Sequence, residues 1–135
     1  MSIVYAQEQA LSVADYCAVL ASTYMRDKRP LANPERVGRI LAGSNMIVTA
    51  RADGAIVGLA RGMSDGEWVC YLADLAVHAD HQRQGIGTGL LRQVKAILGP
   101  GMGVVLIAYP EAETYYRKAG LGEMAGFYIE REIRN

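Results

Sequence analysis

The sequence predicts an α+β fold built on a mixed, mostly antiparallel sheet. Two Asp-Gly pairs, Asp53-Gly54 and Asp65-Gly66, divide a β-type stretch into three runs. Asp-Gly between such runs is a hairpin signal, so the three form an antiparallel meander. Apolar residues at helical spacing frame the meander on both sides. A further helix separates its third run from the apolar run 104–108, and a crossover helix makes the strands it joins parallel neighbours.

Taken in order, residues 3–5 read as a short first strand. Ser12 is an N-cap with Asp15 three residues on, and Val13, Tyr16, Cys17, Leu20 and Tyr24 follow at helical spacing. That helix fades near Arg26, before the polar link 27–30. Asn33-Pro34-Glu35 supplies a cap, a proline at the first helical position and an acid in the first turn, with Gly43 as the stop. The meander runs are 46–52, 55–63 and 67–77. After a glycine loop, Leu90, Leu91, Val94, Ile97 and Leu98 mark a helix that Gly99-Pro100-Gly101 ends. The continuous apolar run 104–108 suggests a strand buried on both faces. Ala112, Tyr115, Tyr116 and Ala119 mark a short helix closed by Gly120, and residues 126–133 read as a last strand.

Composition narrows the function classes. The 135 residues suit a single domain, 1–135, with a real core. Fourteen Lys and Arg balance fourteen Asp and Glu, which argues against a nucleic-acid protein, since that would need a basic surplus. No apolar run approaches a membrane span, and the first residues lack the pattern of a secretory signal. Cys17 and Cys70 stand alone without ligand spacing, as reduced core thiols rather than a disulfide or metal site. The expected compartment is the cytoplasm.

The chemistry concentrates between Val77 and Leu91. There an apolar strand enters a polar turn carrying Gln-x-x-Gly-x-Gly, and an amphipathic helix follows at once. Glycines let a backbone turn its N–H groups inward, and a new helix adds unpaired N–H groups of its own. Such a junction is a socket for an anion, most plausibly a phosphate or pyrophosphate. The dinucleotide fingerprint does not fit, because Gly85, Gly87 and Gly89 alternate and the preceding strand ends a meander. A P-loop would need Gly-Lys-Ser/Thr. Taken alone, the loop is equally a tight turn that binds nothing.

Loop, position and downstream sequence together resemble the GNAT-type N-acetyltransferase superfamily over nearly the whole chain. The family's Gln/Arg-x-x-Gly-x-Gly/Ala motif is matched by Gln82, Gly85 and Gly87, after a strand ending Asp74-Leu75-Ala76-Val77. Its Ala-x-x-Phe-Tyr-x-x-x-Gly-Phe pattern is matched by the segment from Ala112 through Tyr115-Tyr116 to Gly120-Leu121. The resemblance implies a three-layer fold with helices on both faces and a splayed parallel strand pair. It also implies acetyl-CoA as co-substrate, with no metal. Backbone N–H groups of Gln82, Arg83, Gln84, Gly85, Ile86, Gly87 and Thr88 would hold the pyrophosphate. Arg83 is either a phosphate ligand or a solvated loop residue. The backbone of Leu75, Ala76 and Val77 would pair with the pantetheine arm like an added strand, with the Leu75 N–H as oxyanion donor.

Two catalytic residues are carried over by the resemblance. Tyr116 matches the family's general acid; a phenol with a pKa of about 10 is protonated at neutral pH and lies close to a thiol at about 8.5. Its helix face equally suits a core residue. Tyr115, at the family's Phe position, is read as packing. Asp74 stands where some members carry an acidic base, yet a carboxylate at about 3.9 is poorly matched to an alkylammonium at about 10.4. Asp74 is therefore a base through burial or a water relay, an electrostatic attractor, or a pairing residue within the sheet. His78 and His81 are read as exposed loop residues. Tyr109 stands where many members have a pantetheine-contacting Asn.

The expected function is acetyl transfer to a primary amine by direct attack in a ternary complex. A small-molecule amine is favoured as acceptor, because so short a chain has little room for a peptide-docking insertion. A non-catalytic acetyl-CoA-binding sensor or interaction module is the alternative. Nucleic acid and membrane are excluded as partners, and a homodimer is left open as a possible assembly.

Overall fold

The capping chemistry sets the first half of the chain. The computed structural model describes residues 2–133. It begins with strand β1 (Ile3–Gln7) and helix α1 (Val13–Ala21), whose first turn is closed by the Ser12 hydroxyl accepting from the Asp15 N–H at 3.0 Å. The helix is shorter than its apolar spacing suggested. Ser22 and Thr23 fold back to bond the carbonyls of Val19 and Leu20, and a 3-10 turn at Tyr24–Asp27 follows. Helix α2 (Pro34–Ala42) starts with Asn33 accepting from the Arg36 N–H. Gly43 ends it in the right-handed region (φ −83°), so this stop does not use the left-handed freedom of glycine.

Strands β2 (Met46–Ala52), β3 (Ala55–Ser64) and β4 (Val69–Val77) form the predicted meander. Asp53 and Gly54 both take positive φ (51° and 83°), as a two-residue hairpin turn requires. The second turn is longer: the Asp65 carboxylate accepts the N–H groups of Glu67, Trp68 and Val69, so β4 starts at Val69 rather than at residue 67. Helix α3 (Ile86–Leu98), strand β5 (Gly103–Val105) and helix α4 (Pro110–Lys118) complete the order. The sheet runs β1-β2-β3-β4-β5, antiparallel except for the parallel β4–β5 pair.

Helices cover both faces. Beneath α3, Val48, Ala50, Val57, Leu72, Leu90 and Val94 form one core; beneath α1 and α2, Tyr16, Val19, Leu20, Val37, Ile47 and Leu59 form the other. Two sequence expectations are corrected at the C-terminal side. The run 104–108 pairs only at Gly103–Val105, and Val105 is 44% exposed, because β5 is an edge strand whose neighbour turns away. Residues 126–133 form no strand. Their alternation is present, but Phe127 and Ile129 are exposed, and the segment joins neither edge strand of the sheet, β1 or β5. Helix α4 does close at Gly120 (φ 85°), where the Leu121 N–H returns to the Tyr116 carbonyl.

Gly62 tests the close approach of β3 and β4. A Cβ there would lie 2.7 Å from the Tyr71 carbonyl oxygen and 3.0 Å from the Cys70 sulfur, and a backbone atom cannot swing aside. Gly62→Ala is expected to cost about 2 kcal/mol in urea unfolding. Gly101→Ala, with open space at its Cβ, should change stability by only a few tenths.

Candidate active site

A single bulge in β4 creates the site. Arg61 pairs with Asp74 and Gly62 with Leu72, so Ala73 has no partner across the ladder. The extra residue reverses the facing of everything after it. Before it, Cys70 and Leu72 pack under α3; after it, Leu75 and Val77 do so, while Asp74 and Ala76 turn toward α1. The His78 N–H donates to the Val57 carbonyl at 2.8 Å. By strand alternation, Leu75 and Val77 then direct their own N–H and C=O groups away from β3, while Ala76 directs its groups toward it. On that outer side β5 pairs only with Val69–Tyr71. The two parallel strands therefore splay, leaving the edge at Leu75 and Val77 without a partner strand, although the Val77 carbonyl is taken by the Gln82 side chain. A cavity of about 20 Å³, roughly one water, lies in the gap between Ala73, Leu75, Leu106, Ile107, Tyr109 and Tyr116.

The glycine loop lies at the far end of the same edge. The Gln82 side-chain amide donates to the Val77 carbonyl at 3.1 Å and anchors the loop to the strand end. Arg83 and Gly85 take positive φ (62° and 81°), which brings the chain round into α3. The Gly89 N–H bonds the Gly85 carbonyl as the helix's first backbone bond, so the N–H groups of Ile86, Gly87 and Thr88 have no intrahelical acceptor. Arg83, Gln84, Gly85 and Thr88 are exposed there, whereas the Ile86 side chain is buried and roots the turn in the core. Gly89 has a different duty: a Cβ on it would run into the Tyr5 ring of β1.

Tyr116 and Asp74 are the two candidate catalytic residues. Tyr116 lines the gap, and its hydroxyl has no hydrogen-bond partner among the described residues. Burial pushes its pKa up, with smaller contributions from the nearby Tyr24, Tyr115 and Asp74. The Asp74 side chain is fully buried. Its Oδ1 accepts from Arg29 Nε at 2.9 Å and lies 2.7 Å from Arg29 Nη2; its Oδ2 accepts from Arg61 Nε at 2.6 Å and from the Tyr16 hydroxyl at 2.5 Å. Arg29 continues outward to the carbonyls of Lys28 and Ala73 and to the Tyr109 hydroxyl, and Arg61 to the Ser44 hydroxyl. Among the described residues, no group of acids, histidines and cysteines could hold a metal ion.

The sequence profile of the acetyltransferase (GNAT) family matches residues 15–121. The chain belongs to that family. Among solved structures it resembles a candidate acetyltransferase of Deinococcus radiodurans R1, with 26% identity, coverage of 96% of this chain and 88% of that one, and a TM-score of 0.75. A GNAT family acetyltransferase of Streptococcus pneumoniae TIGR4 follows at 22% identity, 97% and 100% coverage and a TM-score of 0.72. An aminoglycoside acetyltransferase from an uncultured soil metagenomic sample aligns at 21% identity, 97% and 99% coverage and a TM-score of 0.68. No curated protein matches the chain.

Against the family's pattern, several placements stand out. Tyr109, in the place of the usual Asn, caps α4, accepts from Arg29 Nη1 at 3.2 Å and stacks edge-on with Tyr24. Tyr115 does more than pack: its hydroxyl lies 3.2 Å from the Thr88 hydroxyl, tying α4 to the start of α3. His78 accepts from the Asp80 N–H and stacks edge-on with His81, so both serve the turn. The partners of Asp74 escape a reading of the sequence, although one signal is present. Arg61 is the lone charge in β3 and Asp74 the lone charge in β4, which invites a cross-strand pair. Arg29, in the polar link, gives no such signal.

Asp74→Asn would leave two guanidinium groups without their shared counter-charge. A loss of about 3 kcal/mol is expected in urea unfolding. Glu113→Gln, breaking an exposed pair to Arg117, should register as near zero.

Proposed function

We propose that this family member transfers the acetyl group of acetyl-CoA to a primary amine of a small molecule, by direct attack in a ternary complex. The observation that carries this reading is the open edge of β4, set between the free N–H groups of α3 at one end and the Tyr116 hydroxyl at the other. An extended arm bearing amides fits such an edge as an added strand, and a pyrophosphate fits the helix start. The thioester then falls beside the bulge, with the Leu75 N–H turned toward its carbonyl oxygen. Fold similarity to an aminoglycoside acetyltransferase supports a small-molecule amine, at the level of the fold alone.

Attack by the neutral amine forms the C–N bond and a tetrahedral oxyanion, and its collapse breaks the C–S bond. In this reading Tyr116 gives its proton to the departing sulfur. A phenol whose pKa is raised by burial stays in its acid form throughout the neutral range. Asp74 is assigned a positioning role instead of the base role, because all four of its short contacts are already taken by Arg29, Arg61 and Tyr16. The amine therefore delivers its proton to water, and water returns a proton to the Tyr116 phenolate, leaving the amide and the free thiol as products.

Tyr116→Phe is expected to lower kcat for thiol release about a hundredfold while leaving acetyl-CoA affinity unchanged; full turnover would remove Tyr116 from the acid role. For the wild type, log kcat/KM should climb with pH as the amine deprotonates and show no Tyr116-dependent fall below about pH 10. A falling limb near pH 8 that vanishes in the Phe variant would contradict the raised phenol. A Cβ at residue 87 would lie 3.0 Å from the Tyr115 hydroxyl, so Gly87→Val crowds the start of α3. It should weaken acetyl-CoA binding about tenfold by calorimetry.

A further inference from the structure

A second, much larger concavity of about 1080 Å³ adjoins the gap in the sheet. The two share Ala73, Ile107 and Tyr109 as a common wall. It is bounded by the 27–33 link, α2, the exposed face of β3 and β4, and residues 128–131, and it contains no residue of the glycine loop. A molecule lying in it reaches the bulge from the side opposite to the coenzyme's phosphates. Its volume suits a small organic molecule.

The lining is strongly one-signed, although the chain as a whole has no net charge. Among the described residues that line it, six carry cationic side chains: Lys28, Arg29, Arg36, Arg39, Arg61 and Arg131. Two carry acids, Asp27 and Glu130, and Arg36 and Glu130 are each engaged in a further contact. Asp74, behind the floor, accounts for the charge of only one of its two arginine partners. Arg39 is exposed with no ion pair among the described residues, and Lys28 rests 5.0 Å from the Tyr109 ring centre, beside the wall shared with the gap. A concave surface lined by one sign focuses potential and concentrates ligands of the other sign.

Building on the acetyltransferase reading above, we infer that the acceptor is an amine that also carries an anionic group, a carboxylate or a phosphate. The groove holds the anion near Lys28 and Arg39, and the amine extends past Tyr109 to the thioester. A polycationic amine is disfavoured by the same surface.

Calorimetry on the full chain loaded with coenzyme A tests this with matched probes: L-leucine against L-leucinamide for a carboxylate, glucosamine 6-phosphate against glucosamine for a phosphate, and spermidine as polycation. In at least one pair the anionic member should bind about tenfold more tightly, with the preference lost at high salt. Lys28→Ala and Arg39→Ala should each weaken that binding about fivefold, Arg39→Lys should restore most of it, and coenzyme affinity should not move. No anionic preference in either pair, or tighter binding of spermidine, overturns the inference. If the anionic probe binds as expected but acetyl-CoA yields no free thiol with it, the groove assignment stands and the acetyl-transfer reading is the one that fails.

Discussion

The fully buried carboxylate of Asp74 constrains more of this fold than any apolar contact. Removing a carboxylate from water costs several kcal/mol, and that cost is offset only when the surrounding donors are complete. Here they come from three directions: Tyr16 from α1, Arg29 from the link before α2, and Arg61 from β3. Each donor thereby loses freedom. The Tyr16 phenol is pushed far up, first by burial and then by the adjacent carboxylate, so it is a fixed donor. The Asp74 charge likewise holds Arg29 protonated against the opposing effect of burial. The network pins a helix, a loop and two strands to one point, and that point is the residue next to the bulge.

The bulge and the network depend on each other. Were Ala73 paired in regular alternation, Asp74 would face the core beneath α3, among Leu72 and Val94, with no cation to meet it. With the bulge, Asp74 meets its partners, and the same reversal turns Leu75 and Val77 toward α3 with their backbone groups on the open edge. Arg29 reinforces the arrangement by donating to the Ala73 carbonyl at 2.8 Å, which satisfies a polar group that the bulge leaves out of the ladder. A one-residue irregularity thus opens the sheet, and a buried charge keeps it from slipping back into register.

What the sequence makes legible is local. Ser12, Asn33-Pro34, Asp53-Gly54 and Gly120 each act through bonds within a few residues, so their chemistry reports itself. The glycine loop's turn is legible for the same reason, and the family resemblance supplies Tyr116 as a candidate. What stays hidden is partnership. Residues 126–133 alternate like a strand, but alternation says nothing about whether the segment docks on an edge. Residues 104–108 are apolar throughout, yet the splay lets only part of the run pair. Asp74 reads as a candidate base because some family members carry an acid at that position, whereas its neighbours in space are two arginines and a phenol. Contacts such as Tyr16 with Asp74, 58 positions apart, leave no local trace.

Net charge is a poor guide here for a physical reason. A balance of fourteen cations and fourteen acids excludes a large basic face, but not a small one. On the function and the groove ligand proposed above, the site separates two ways of meeting an anion. At the start of α3 the means are backbone N–H groups, which carry partial charge, need no cationic side chain and are invisible to composition. Between the 27–33 link and β4 the means are side-chain cations, offset by acids elsewhere on the surface. Backbone groups suit a ligand whose position is fixed by pairing along a strand edge, since their geometry is fixed as well. Long, flexible Arg and Lys side chains suit a groove whose occupant is held by a charged group rather than by strand pairing. On that proposal, rigid recognition falls on the donor side of the bulge and adjustable recognition on the other, with the Asp74 network holding the two in register.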